Sequence, residues 1–257
     1  LHCPSLQFMT IKYVPLTGSY PGLIGLNVSE LPKIQKTTLP DLEYLHVINL
    51  EDDISELLSK LPRLRYLKMA HFKNKEFVCT SSTLKSLYLE SIVTKILKSI
   101  SIDCPNLEEL HLHKIVRLKI SDNTINIKTL ELDTVKKGAI DDICGLLSRL
   151  HQLEHLTIHD LYNVPKMTIT STSIQTISIS NCGTHVSSKH LQEFSLETPS
   201  LDHLLLRNMK NLTTITWGKQ PMTKLTTLIL SRCPSLHDKN FTALDEKNWP
   251  FPSIQYL

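Results

Sequence analysis

The sequence predicts an α/β solenoid, with a curved parallel β-sheet on a concave face, short helices and loops on the convex face, and about 12 irregular repeats. Three observations predict it. An L-x-x-L-x-L pattern recurs from one end of the chain to the other. In every copy through Leu230, the third residue past the last apolar position is apolar again. Many copies also place proline two residues before the first leucine: Pro4, Pro21, Pro40, Pro62, Pro105, Pro199 and Pro252.

The stretch CPNLEELHLHKI, with Leu107, Leu110 and Leu112, displays the unit. Before it stand Leu6, Met9, Ile11; Leu23, Leu26, Val28; Leu42, Leu45, Val47; Leu64, Leu67, Met69; and Leu84, Leu87, Leu89. After it come Ile127, Leu130, Leu132; Leu153, Leu156, Ile158; Ile174, Ile177, Ile179; Leu201, Leu204, Leu206; Leu225, Leu228, Leu230; and a truncated copy at Ile254 and Leu257. First positions are 17 to 29 residues apart. Recurrence at about 20–29 residues is the mark of leucine-rich repeats, and the chain resembles that family from end to end.

The last two apolar residues of each copy are two apart, so they share one face of a strand while their neighbours face the other way. One such strand buries too little. Stacked in parallel, the copies build a continuous core in which each touches only its neighbours. Val14, Leu31, Leu50, Phe72, Ile92, Ile115, Val135, Leu161, Cys182, Met209 and Cys233 supply the further apolar position. Proline gives an extended entry and lacks a ladder donor, which suits the first residues of a strand. Between strands, Ile54, Leu57, Leu58 and Leu61 predict a helix over 51–61, and Ile140, Ile143, Leu146, Leu147 and Leu150 predict one over 138–150. VTKILKSI, SSKHLQEF and KNFTALDE are shorter helical candidates. The interval from Leu107 to Ile127 leaves room only for an irregular loop.

Residues 1–257 read as a single domain without linker, low-complexity run or charge block. A net charge of +3 argues for neither nucleic acid nor membrane as a partner. No apolar run approaches the ~20 residues that span a bilayer. The opening LHCPSLQ is already mid-repeat rather than a signal peptide, so a longer chain with a further N-terminal domain is expected. Of six cysteines, Cys182 and Cys233 occupy the apolar position after the strand, and Cys3 and Cys104 the slot where Leu39, Leu61 and Leu150 stand elsewhere. These four replace core hydrophobes, a role a reduced cysteine fills well. Cys144 lies in a predicted helix and Cys79 has no place in the pattern. Without C-x-x-C spacing, free thiols and an intracellular setting, cytoplasm or nucleus, are expected. The sequons at Asn27, Asn211 and Asn240 point the other way.

No phosphate-cradling loop, nucleophile elbow or H-E-x-x-H helix occurs, so neither an enzyme nor a cofactor is expected. The outward-facing residues of the strands form columns instead. Phe8, Tyr44, Tyr66 and Tyr88 offer the flat amphipathic area of binding hot spots, although aromatics also favour strands in their own right. With strands ~4.8 Å apart, Glu90, His113, Asp133 and His159 fall in a row, beside Glu109, His111, Glu131 and His155. Such a row could converge on zinc. Side chains on a gently curved sheet run alongside one another, however, which favours a mutually paired acid–histidine strip that titrates near pH 6–7 and meets a basic or polar partner segment. No metal is assigned. The partner-binding set on the concave face is Tyr44, His46, Tyr66, Lys68, Tyr88, Glu90, Glu109, His111, His113, Glu131, Asp133, His155, His159, His203 and Arg207.

The copies LILSRCPSLHDKNFTAL and ISISNCGTHVSSKHLQEF are similar to the cysteine-containing repeat subtype, here Leu225, Leu228, Leu230, Cys233, Asp238 and Leu244. This subtype resembles the substrate-recognition arm of F-box proteins. The resemblance implies a protein target on the concave face and a cullin-ligase adaptor engaged by an F-box elsewhere in the longer chain. LPRLRYLKM and FPSIQYL are similar to repeats in the sensor domain of intracellular nucleotide-binding immune receptors. A bacterial or parasite effector is a third reading. All three imply protein recognition.

Overall fold

The L-x-L core of each described repeat is a β-strand whose two aliphatic residues face inward. The computed structural model describes residues 6–12, 16–30, 37–49, 54–71, 76–90, 99–115, 117–182, 191–218 and 222–236. They belong to two units, Leu1–Thr124 and Ile125–Leu257. The first contains β1 (Phe8–Ile11), β2 (Gly18–Ser19), β3 (Gly25–Glu30), β4 (Thr37–Thr38), β5 (Tyr44–Asn49), α1 (Ser55–Ser59), β6 (Tyr66–Ala70), β7 (Glu76–Thr80), β8 (Ser86–Glu90), β9 (Ser99–Asp103), β10 (Glu109–Ile115) and β11 (Leu118–Ile120). The second contains β12 (Thr129–Lys136), α2 (Lys137–Leu147), β13 (His155–Tyr162), β14 (Lys166–Thr170), β15 (Thr176–Ser180), β16 (Glu193–Glu197), β17 (His203–Arg207), β18 (Thr214–Trp217) and β19 (Thr227–Ser231). Each is a parallel β-solenoid with few helices.

The long sheet of the first unit runs β1-β3-β5-β6-β8-β10 and that of the second β12-β13-β15-β17-β19. Pairing is parallel and in register, so like residues stack. Leu26, Leu45, Leu67, Leu87 and Leu110 form one row. Leu130, Leu156, Ile177, Leu204 and Leu228 form another. Leu110, Leu130 and Leu156 are wholly buried. Burial of each such side chain contributes about 1.5–3 kcal/mol, and a one-residue slip would turn a whole row to water. That is what holds the register.

The apolar residue three places past the last leucine has the wrong strand parity to face inward. The backbone solves this with one left-handed residue just before it. His71, Lys114, Thr134, Asp160, Asn181, Asn208 and Arg232, each two places past the last leucine, have φ between 53° and 60°. The reversal delivers Val135, Leu161, Cys182 and Met209 to the core, where all are buried.

The return path differs from expectation. Helix α1 lies within the predicted span, with Ile54, Leu57, Leu58 and Leu61 buried, and α2, with Ile140, Ile143, Leu146 and Leu147 buried, packs on β12 and β14. Elsewhere the returning chain forms short parallel sheets, β11-β9-β7, β14-β16-β18 and β2-β4. The predicted loop between Leu107 and Ile127 contains β11, and the described end of SSKHLQEF, Glu193 and Phe194, is in β16 rather than a helix. Ser99 and Ile100, which end VTKILKSI, begin β9; the rest of that candidate and KNFTALDE lie outside the described residues. EFVCT, SISID, LKI, KMTIT and EFSLE alternate inward and outward with a period of two. A strand advances ~3.3 Å per residue against 1.5 Å for a helix, so a short repeat recrosses the coil in extended form.

The prolines also sit differently. Pro40, Pro62, Pro105 and Pro199 precede the strands and occupy the second position of β-turns closed by Leu42 N–H to Leu39 O, Leu64 to Leu61, Leu107 to Cys104 and Leu201 to Thr198, at 3.0–3.4 Å. Proline's fixed φ presets that position. At Pro21-Gly22 the glycine has φ +83°, the conformation of a type II turn.

Candidate functional site

Because the first unit's strands pair in register, its outward residues form ladders. Tyr44 and Tyr66, paired across β5 and β6, stack with ring centroids 4.3 Å apart and planes 13° from parallel. Tyr66 then leans diagonally to Tyr88, at 4.9 Å. Tyr88 stacks in turn on His111, its partner in register on β10, at 4.1 Å and 14°. Four predicted site residues thus become one continuous stack of rings. At the sheet's outer end Phe8, 66% exposed, covers Gly25. Its ring occupies the place a Cβ on Gly25 would take.

Charged groups flank the stack. Tyr88 donates its phenolic proton to Glu109 Oε2 at 2.9 Å, and Lys68 Nζ pairs with Glu90 Oε1 at 2.7 Å. Burial, reinforced by Tyr44 and by the charges of Glu109 and Glu90, pushes the Tyr66 phenol up to about 12, so this ring stays neutral across the physiological range. His46, opposite Lys68, is held below the usual imidazole value, first by burial and then by the Lys68 charge. His113 continues the same face of β10, half-buried.

In the second unit Asp133 and His159 are paired in register, as are His155 and Thr129. His159 Nδ1 shares a 2.6 Å hydrogen bond with Ser180 Oγ, and its Nε2 lies 3.9 Å from Glu131 Oε1. Asp133 accepts a hydrogen bond from Thr134 Oγ1 at 2.9 Å. His203 Nδ1 lies 3.1 Å from Asp202, and His155 Nε2 lies 4.0 Å from Glu154, each beside its chain neighbour. Arg207 stands exposed on β17. Among the described residues no three His, Cys, Asp or Glu side chains gather into a possible metal group.

Ser180 and Asp202, which lie outside the predicted set, belong to the second unit's surface, and Phe8, predicted together with the tyrosines, belongs to the first unit's. Their positions in the outward columns, or beside them for Asp202, were the available signal. An open groove of about 840 Å³ runs ahead of β13, β15, β17 and β19, lined by Glu154, Gln175, Asp202 and Lys224 among others. Part of its polar lining is already engaged: Asp202 accepts from Thr226 Oγ1, and Ser173 Oγ donates to Leu150 O. No protein-family model, curated protein or solved structure matches the chain.

Proposed function

We propose that this is a leucine-rich-repeat recognition arm of about 12 repeats, α/β in style, that binds a protein ligand on the polar face of its long sheets. In this reading it has no catalytic role of its own. It serves, in the cytoplasm or nucleus, as the substrate-binding part of an F-box type ubiquitin-ligase receptor, whose adaptor is engaged through an F-box in the longer chain. The observation that carries the recognition claim is the stack Tyr44–Tyr66–Tyr88–His111 with Glu90 and Glu109 at its flank. Rings already locked against one another present a large amphipathic surface and lose little rotamer freedom on binding.

Affinity purification of the full-length protein tests this. Charge reversal at Glu90 and Glu109, or at Glu131 and Asp133, should reduce the retained partner by about tenfold or more. Reversal of Asp141 and Asp142, exposed on α2, makes the same charge change away from the face and should leave capture unaltered. Equal losses from all three variants would refute the face as the binding surface. Co-purification of a cullin subunit with wild type tests the ligase reading separately.

A further inference from the structure

We propose that Cys79 and Cys104 form a modification site, a dithiol that closes to an intramolecular disulfide when the folded chain meets hydrogen peroxide. The two sulfurs are 3.7 Å apart, from residues 25 apart in sequence, and both side chains are fully buried. Cys79 faces inward from β7, where its register partner is Ile102 of β9. Cys104 follows two residues later, at the turn that ends β9. The sulfurs therefore come from successive coils. Two of the other three described cysteines contact backbone carbonyls instead: Cys182 lies against that of Ser180, and Cys233 against those of Leu206 and Ser231.

A disulfide requires an S–S distance of about 2.05 Å, so the two sulfurs must approach by roughly 1.7 Å for the bond to close. Hydrogen bonding between the two thiols and burial hold Cys79 in its protonated form, leaving Cys104 as the attacking sulfur. Its thiolate attacks one peroxide oxygen, breaking the O–O bond and yielding a sulfenic acid and hydroxide. The Cys79 sulfur then attacks the sulfenic sulfur, and its proton leaves with the expelled oxygen as water. Two thiols and one peroxide become one disulfide and two waters. The oxidant is small and uncharged, which suits a buried pair. The bond staples the coils at β7 and β9, immediately before β8 and β10, the strands that carry Tyr88 and His111. The proposal does not depend on the partner-binding reading.

Peptide mapping of the reduced, folded full chain after peroxide treatment tests it. Trypsin releases residues 76–85 and 99–114, each with one cysteine, and these two peptides should appear joined. The melting temperature should rise by about 5–10 °C and fall back with dithiothreitol, and C79S should lose both signals. If C79S does not fold, the wild-type map decides alone. Oxidation of Cys144 and Cys233 with the two peptides still separate would overturn the proposal. So would a link that forms only in urea, or one that lowers the melting temperature.

Discussion

Thr124 and Thr198 fill the same slot, three residues before the first apolar position of their repeats, and both are 1% exposed. The Thr124 hydroxyl accepts the Cys104 N–H at 2.7 Å. The Thr198 hydroxyl has no hydrogen-bond partner among the described residues. A buried hydroxyl costs stability unless it is bonded. Thr198→Val should therefore stabilise by about 1 kcal/mol, while Thr124→Val should destabilise by about 1–3 kcal/mol by stranding a buried N–H. Urea unfolding of both variants checks the opposite signs. The left-handed position allows a similar contrast. Lys114→Asn should gain about 0.5–1 kcal/mol, because asparagine tolerates that conformation better than lysine. Asn208→Val should lose about 1–3 kcal/mol, since a branched side chain is strained at φ 55° and the 2.8 Å bond from Asn208 Nδ2 to Asn181 disappears. His46 adds a pH dependence. Its lowered folded value means that the unfolded chain takes up protons first as pH falls below about 6.5. Stability from this group is present at neutral pH and is lost on acidification, so the urea midpoint of wild type should fall further than that of His46→Gln between about pH 7.5 and about pH 5.5.

Among elements, the aromatic ladder combines what strand parity fixes with what packing adds. Strand parity placed Tyr44, Tyr66, Tyr88 and His111 on the outer face, because alternate residues of a strand share a side. It also put Tyr44 and Tyr66 in one column and Tyr88 and His111 in the next. Only packing makes the diagonal step from Tyr66 to Tyr88 that joins the columns. A double-mutant cycle between Tyr44 and Tyr66 should give a coupling of about 0.5–1.5 kcal/mol, the usual worth of a stacked pair; a coupling near zero would mean that the rings are neighbours without mutual support. The side sheets teach a related lesson. EFVCT and KMTIT carry a clear period of two, the spacing of a half-buried strand.

At the scale of the molecule, each coil in a repeat architecture is stabilised mainly by the coils beside it. Amide exchange should therefore be slowest at interior strands and faster toward the outer rows. In the second unit Leu156 and Ile177 are 0% exposed, whereas Leu228 on β19 is 9% exposed. Protection at Leu156 and Ile177 should exceed that at Leu228 by at least about tenfold, read by mass spectrometry or NMR; uniform protection across β13 to β19 would contradict nearest-neighbour stabilisation.

The amino-acid order alone determined the inward rows, the parallel stacking and the outward columns, since each follows from spacing and from the need of apolar side chains to leave water. The tertiary structure decided what spacing does not encode. It set the left-handed residue that corrects the parity of Val135, the extended return path, the ring-to-ring step across columns and the approach of Cys79 to Cys104. Each of these depends on distances between coils, and a one-dimensional pattern holds no information about atoms brought together only when neighbouring turns pack.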